Sequence, residues 1–132
     1  MRGKFHPGFA SFMDKNGLIP EEQRLDESIV ISVGRSFRIY CRPASHGDLV
    51  FESRLIQLPD SPEDEADLIS RCLLASWIRM GTHSDVPVLS ENSSHILLQQ
   101  RMPSDATVDE VELSLENFVN SIVEWRRVFR IL

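Results

Sequence analysis

Apolar residues in the last quarter of the chain follow a single rhythm. Val108, Val111, Leu115, Phe118, Ile122, Trp125, Phe129 and Leu132 succeed one another at alternating steps of three and four, the repeat that sets side chains along one face of an α-helix. Thr107-Val108-Asp109-Glu110 stands ahead of them as a capping box, in which a threonine hydroxyl and a glutamate carboxylate satisfy each other's backbone N–H groups. Arg126, Arg127 and Arg130 fall in the last turns, where cations complement the carbonyl end of a helix. The same spacing governs Phe5, Phe9, Phe12 and Met13 and stops at Asn16-Gly17 with apolar Leu18 beyond, a glycine C-cap that predicts a short helix over 8–16. A third helix is predicted over 62–80, from Ser61 as N-cap, Pro62 at the first position and Glu63, Asp64 and Glu65 in the first turn. Gly81 lies just past its end.

Between the helices the period changes to two. Residues 28–33 alternate Ile29, Ile31 and Val33 against serines, and 37–42 alternate Phe37, Ile39 and Cys41 against Arg38, Tyr40 and Arg42. Two antiparallel strands joined at Gly34-Arg35-Ser36 follow. After a turn over 43–47, a longer strand over 48–58 sets Leu49, Phe51 and Leu55 at one parity and Val50, Ile56 and Leu58 at the other, which predicts either two covered faces or a bulge that shifts the register. Residues 87–90 and 94–101 flank Glu91-Asn92-Ser93 as a hairpin, and Pro87 assigns its first strand to a sheet edge. The polar stretch 20–27 reads as a connection. The order α-β-β-β-α-β-β-α defines an α+β domain over 1–132, an antiparallel sheet with three helices.

The middle helix carries more apolar surface than a sheet can cover. From Cys72 to Ile78 only Ser76 is polar, whereas a helix lying on one sheet needs a single apolar stripe. A second buried surface is predicted, and in so small a domain it is a subunit interface, for which Leu73, Leu74, Trp77 and Ile78 are the candidates and Val86 and Val88 the weaker ones.

Charge and chemistry narrow the field. A net charge of −6 and a pI near 5.1 argue against nucleic acid, which is bound through clustered Lys and Arg. No signal-peptide or membrane-spanning run is present, which predicts a cytoplasmic protein with no membrane insertion. Cys41 and Cys72 read as small buried thiols rather than a disulfide. No nucleotide-binding glycine loop, nucleophile elbow or metal-ligand spacing occurs, so catalytic residues, metal and cofactor are all read as none. His83-Ser84-Asp85 and His95 leave one enzyme alternative, a small hydrolase or transferase using His83 or His95. The acidic run Glu63-Asp64-Glu65-Asp67 is explained by the helix N-terminus it occupies.

Three segments carry a resemblance. They are Phe9-Ala10-Ser11-Phe12-Met13 ahead of Gly17-Leu18, the acidic helix start Pro59-Asp60-Ser61-Pro62-Glu63-Asp64-Glu65, and Ile96-Leu97-Leu98-Gln99-Gln100-Arg101-Met102-Pro103 before a final helix holding Phe118-Val119 and Glu124-Trp125-Arg126. In this order, and with this size and acidity, the chain resembles the class I chaperones of bacterial type III secretion, the Tir chaperone family. The resemblance implies a non-enzymatic, cytoplasmic homodimer that serves virulence by holding the N-terminal segment of a secreted effector extended for export. It names the secretion ATPase as a second candidate partner. For the effector surface it points to Phe9, Phe12 and Met13 of the first helix and to Val30, Tyr40 and Val50 as outward residues of the early strands, where an extended peptide adds to a sheet edge. The short stretch before Gly8 with its Pro7, and the polarity of 20–27, depart from the family pattern. A dimeric adaptor of similar fold in another assembly is the remaining alternative.

Overall fold

The structure, a computed structural model, describes residues 6–17, 22–23, 28–33 and 37–130. Helix α1 (Pro7–Asn16) starts on the side chain of His6, whose Nδ1 accepts the Phe9 N–H at 3.1 Å while Nε2 lies 2.6 Å from the Pro103 carbonyl. One nitrogen accepts and the other donates, so His6 is the neutral Nε2–H tautomer. The helix ends at Gly17 in the left-handed conformation, φ +63°. Gly8 meets the 103–107 connection so closely that a Cβ there would overlap the Ala106 carbonyl oxygen.

Among the described residues the sheet is antiparallel and six-stranded, in the spatial order β1-β2-β3-β4-β6-β5. Its strands are β1 (Glu22–Gln23), β2 (Ile29–Val33), β3 (Phe37–Pro43), β4 (Leu49–Gln57), β5 (Val86–Leu89) and β6 (His95–Met102). The predicted strands are all present, with β5 at an edge as Pro87 required. One correction concerns 20–27: part of this stretch is β1, two residues that pair with Val30 and Ile29. A strand of two residues has no apolar alternation to announce it in the sequence. The turn predicted at Gly34-Arg35-Ser36, the contact beyond Gly17 at Leu18, and Phe5 and Leu132 lie outside the described residues.

The parity conflict in β4 is resolved by a bulge. Pairing with β6 shifts between Arg54 and Ile56, so Leu49, Phe51 and Ser53 before the shift and Ile56 and Leu58 after it turn toward the same side. Beyond the bulge, α2 (Pro62–Arg79) begins with Ser61 Oγ accepting the Asp64 N–H at 3.4 Å. Helix α3 (Val108–Arg130) opens on the capping box as predicted: the Thr107 N–H donates to Glu110 Oε1 at 2.9 Å, and the Glu110 N–H donates to Thr107 Oγ1 at 3.2 Å.

All three helices feed one core on one side of the sheet, joined by Phe9, Phe51 and Phe118 at centroid separations of 6.1 and 5.8 Å. The six central residues of the α3 repeat, from Val111 to Phe129, are buried there. Cys41 and Cys72 are buried free thiols, and burial raises the pKa of both. On the opposite side of the sheet the residues are mixed and charged: Arg42 lies 3.4 Å from Glu52, and Gln99 donates to Glu52 at 2.7 Å.

Candidate functional site

Helix α2 packs Leu68 and Cys72 into the core and leaves the rest of its apolar surface in solvent. Leu73, Leu74, Trp77 and Ile78 are 66, 64, 74 and 70% exposed. Met80 just past the helix and Val86 and Leu89 of β5 are also exposed, and Val88 is half-buried. Of the six residues that the sequence singled out for an interface, Leu73, Val86 and Val88 line one hollow between α2 and β5, while Leu74, Trp77 and Ile78 stand exposed on the same helix; Met80 and Leu89 add to the exposed apolar surface. A shallow hollow of about 230 Å³ between α2 and β5 is lined by Ile69, Cys72, Leu73, Ser76 and the strand residues, with no charged group among them. Large exposed apolar side chains gathered on one helix and the strand beside it are a candidate interaction surface.

A part-buried ionic cluster ties the end of that helix to α3. Arg79, the last residue of α2, donates from Nη2 to both oxygens of Asp85 at 3.1 Å and from Nη1 to Glu124 at 2.6 Å. Asp85 also accepts Ser121 Oγ–H at 2.8 Å and Trp125 Nε1–H at 2.9 Å, and the Arg79 guanidinium lies 5.4 Å from the Trp125 ring centroid. Burial pushes the Asp85 carboxyl up, but the Trp125, Ser121 and Arg79 hydrogen bonds and the Arg79 charge outweigh it and hold the group below its ordinary value. The cluster joins the end of α2, the loop after it and two turns of α3. Nothing in sequence spacing brings Arg79, Asp85, Ser121 and Trp125 together; the available signals were a lone arginine closing an apolar run and an indole N–H that a buried tryptophan must satisfy.

A second apolar surface lies at the other end of the helical layer. Helix α1, β2 and α3 enclose a groove of about 450 Å³. Phe12, Ile31 and Leu115 form its floor, Val33 and Val119 its half-buried walls, and Asn16, Ser32, Glu112, Glu116 and Asn120 its polar rim.

The residues predicted for effector contact divide between these surroundings. Phe9, Phe12 and Met13 are core residues rather than an exposed patch, because α1 lies flat on the helical layer against Phe51; of the three, only Phe12 reaches the groove. Val30 points to the outer side of the sheet but is fully buried, flanked by β1 on one side and β3 on the other. Tyr40 and Val50 are half-buried on that outer side.

The histidines do not assemble a catalytic arrangement. His83 is exposed, with Nδ1 2.8 Å from Thr82 Oγ1 and Nε2 3.8 Å from Glu124, while neighbouring Asp85 is committed to Arg79, Ser121 and Trp125. His95 pairs with Ser94 at 2.8 Å. Among the described residues no group of three or more His, Cys, Asp or Glu is placed to hold a metal ion, and no helix is long and apolar enough to cross a membrane.

Sequence comparison with curated proteins finds no match. The sequence profile of the Tir chaperone protein (CesT) family matches residues 10–126. Among solved structures, the chain is similar to one from the complex of the Yersinia pestis type III secretion chaperone SycH with a stable fragment of YscM2, with a TM-score of 0.63 and 16% identity over 91% of this chain and 98% of that one. The HopA1–SchA chaperone–effector complex gives 0.64 and 15% identity over 89 and 88%. The heterodimeric ExoU–SpcU complex of the Pseudomonas aeruginosa type III secretion system gives 0.67 and 10% identity over 89 and 94%.

Proposed function

Because the chain belongs to the Tir chaperone protein (CesT) family, we propose that it is a cytoplasmic chaperone of type III secretion, which holds the N-terminal segment of a secreted effector extended and delivers it to the export apparatus. The family is one of chaperones, not enzymes, and the hydrolase or transferase alternative built on His83 or His95 is set aside with it. The match over residues 10–126 carries this reading. Neighbouring folds solved with a bound fragment or effector support it.

The protein works as a homodimer through α2 and β5. Exposed apolar surface of this extent costs solvation free energy of roughly 25 cal/mol per Å² until it is covered, and a two-fold pairing covers the same patch on both chains at once. The effector segment lies in the groove between α1, β2 and α3, over Phe12, and along the outer sheet at Tyr40 and Val50. Delivery includes contact with the secretion ATPase.

The test is capture of the tagged protein from its native bacterium, with mass spectrometry and stoichiometry of what accompanies it. The expected result is one secreted protein per two chaperone chains, held through its N-terminal segment. Recovery of a component of another assembly in its place would favour the adaptor alternative, and recovery of the bare protein would overturn the effector reading.

A further inference from the structure

The two apolar surfaces differ in charge, and that difference says what each one takes. The hollow between α2 and β5 has no charged lining, which suits an identical, equally uncharged patch of a second copy. The groove between α1, β2 and α3 is edged by Glu112 and Glu116, both exposed and one helical turn apart on α3. Like charges at this spacing repel, and neither glutamate has an ion-pair partner among the described residues. The rest of the rim, Asn16, Ser32 and Asn120, is uncharged, so among the described residues no cation answers the acids beside the apolar floor.

We infer that this groove selects an effector segment in which an apolar anchor is followed closely by lysine or arginine: the anchor seats over Phe12, Ile31 and Leu115, and the basic head reaches Glu112 and Glu116. Lysine and arginine suit both parts of the site, since their aliphatic stems lie along apolar surface while their charged ends stay in water. Here the stem crosses Val119 and the charge sits between two carboxylates that otherwise repel. The net charge of −6 draws a cationic segment toward the chain at longer range. This inference rests on the reading of the protein as an effector-holding chaperone and specifies the chemistry of the segment held.

The test uses the full chain and two short fluorescein-labelled peptides, one with paired leucines flanked by lysines and the other with glutamates in place of the lysines. Binding is read by anisotropy at low and physiological salt. The lysine peptide is expected to bind the natural protein about three- to tenfold more tightly than the glutamate peptide, the range that one or two rim ion pairs supply. In the doubly reversed Glu112→Lys/Glu116→Lys protein that order inverts. Both positions are exposed, so the fold is preserved, which circular dichroism checks. A second variant, Val119→Asp, places a charge on the groove wall and is expected to abolish binding of the lysine peptide. Equal affinity for the two peptides, a preference unmoved by the reversal, or full binding to Val119→Asp would overturn the inference. Capture of a secreted partner from cells reads the chaperone function separately, so the two can fail independently.

Discussion

Helices α2 and α3 are both amphipathic, and they resolve their apolar faces in opposite ways. In α3 every central position of the repeat, from Val111 to Phe129, is buried against the sheet and α1. In α2 the core takes only Leu68 and Cys72, while Leu73, Leu74, Trp77 and Ile78 remain outside. The difference follows from composition rather than position. Helix α3 has one stripe and one surface to meet it, whereas the second half of α2 is apolar on opposite sides and meets the sheet on only one of them. Burial in α3 thus stabilises the chain itself, whereas α2 leaves apolar surface in solvent, which fits the pairing proposed above.

That contrast breaks most visibly at Phe118. Phe118→Ala removes a ring packed against Phe51, and the loss of contacts together with the cavity left behind is expected to cost ~3–5 kcal/mol in urea unfolding. Trp77→Asp is the converse case. At 74% exposure the change is expected to move the unfolding free energy of the isolated chain by no more than about 0.5 kcal/mol. It should nevertheless cost about 2 kcal/mol or more in association, as a central aromatic does. Light scattering is expected to report a dimer for the natural protein and monomers for Trp77→Asp, and an unchanged dimer mass would place the interface elsewhere.

A third effect, read through its pH dependence, is expected at the clamp between the two helices. Asp85→Asn keeps an acceptor but loses the charge facing Arg79, for about 1–3 kcal/mol at neutral pH. Because the folded-state pKa of Asp85 is lowered, its contribution is present above the ordinary carboxylate value near ~3.9 and fades as pH falls through the folded value. Denaturation midpoints of the natural protein and Asp85→Asn should therefore differ at neutral pH and converge in acid. A constant gap down to the lowest pH at which the protein folds would show that the carboxylate charge is not what holds the clamp.

Much of this was readable from residues alone. The step of three and four in α3, the Ser61-Pro62 start of α2 and the parity break in β4 each leave a local mark, because helix faces, caps and bulges are decided within a few positions of sequence. The family resemblance drawn from three segments agrees with the profile match over residues 10–126. Four features left no such mark. Strand β1 is two residues of backbone pairing. Val30 is fully buried on the outer side of the sheet. The cap on α1 comes from His6, whose other nitrogen reaches Pro103 across the whole sheet-forming region. The Asp85 cluster gathers residues from three separate segments. Alternation alone placed Val30 on the outer side of the sheet and made it look accessible, but side-chain direction does not reveal whether that position is covered.

The clamp has a geometrical consequence. Arg79 stands at the very end of α2, and its guanidinium ties that end to Asp85, Ser121 and Glu124. The tilt of α2 against α3 is therefore set inside a single chain, before any second copy arrives. In a pairing made through α2, the angle between the two halves would be inherited from this internal joint, like the pitch of a roof cut into each rafter before the two are raised.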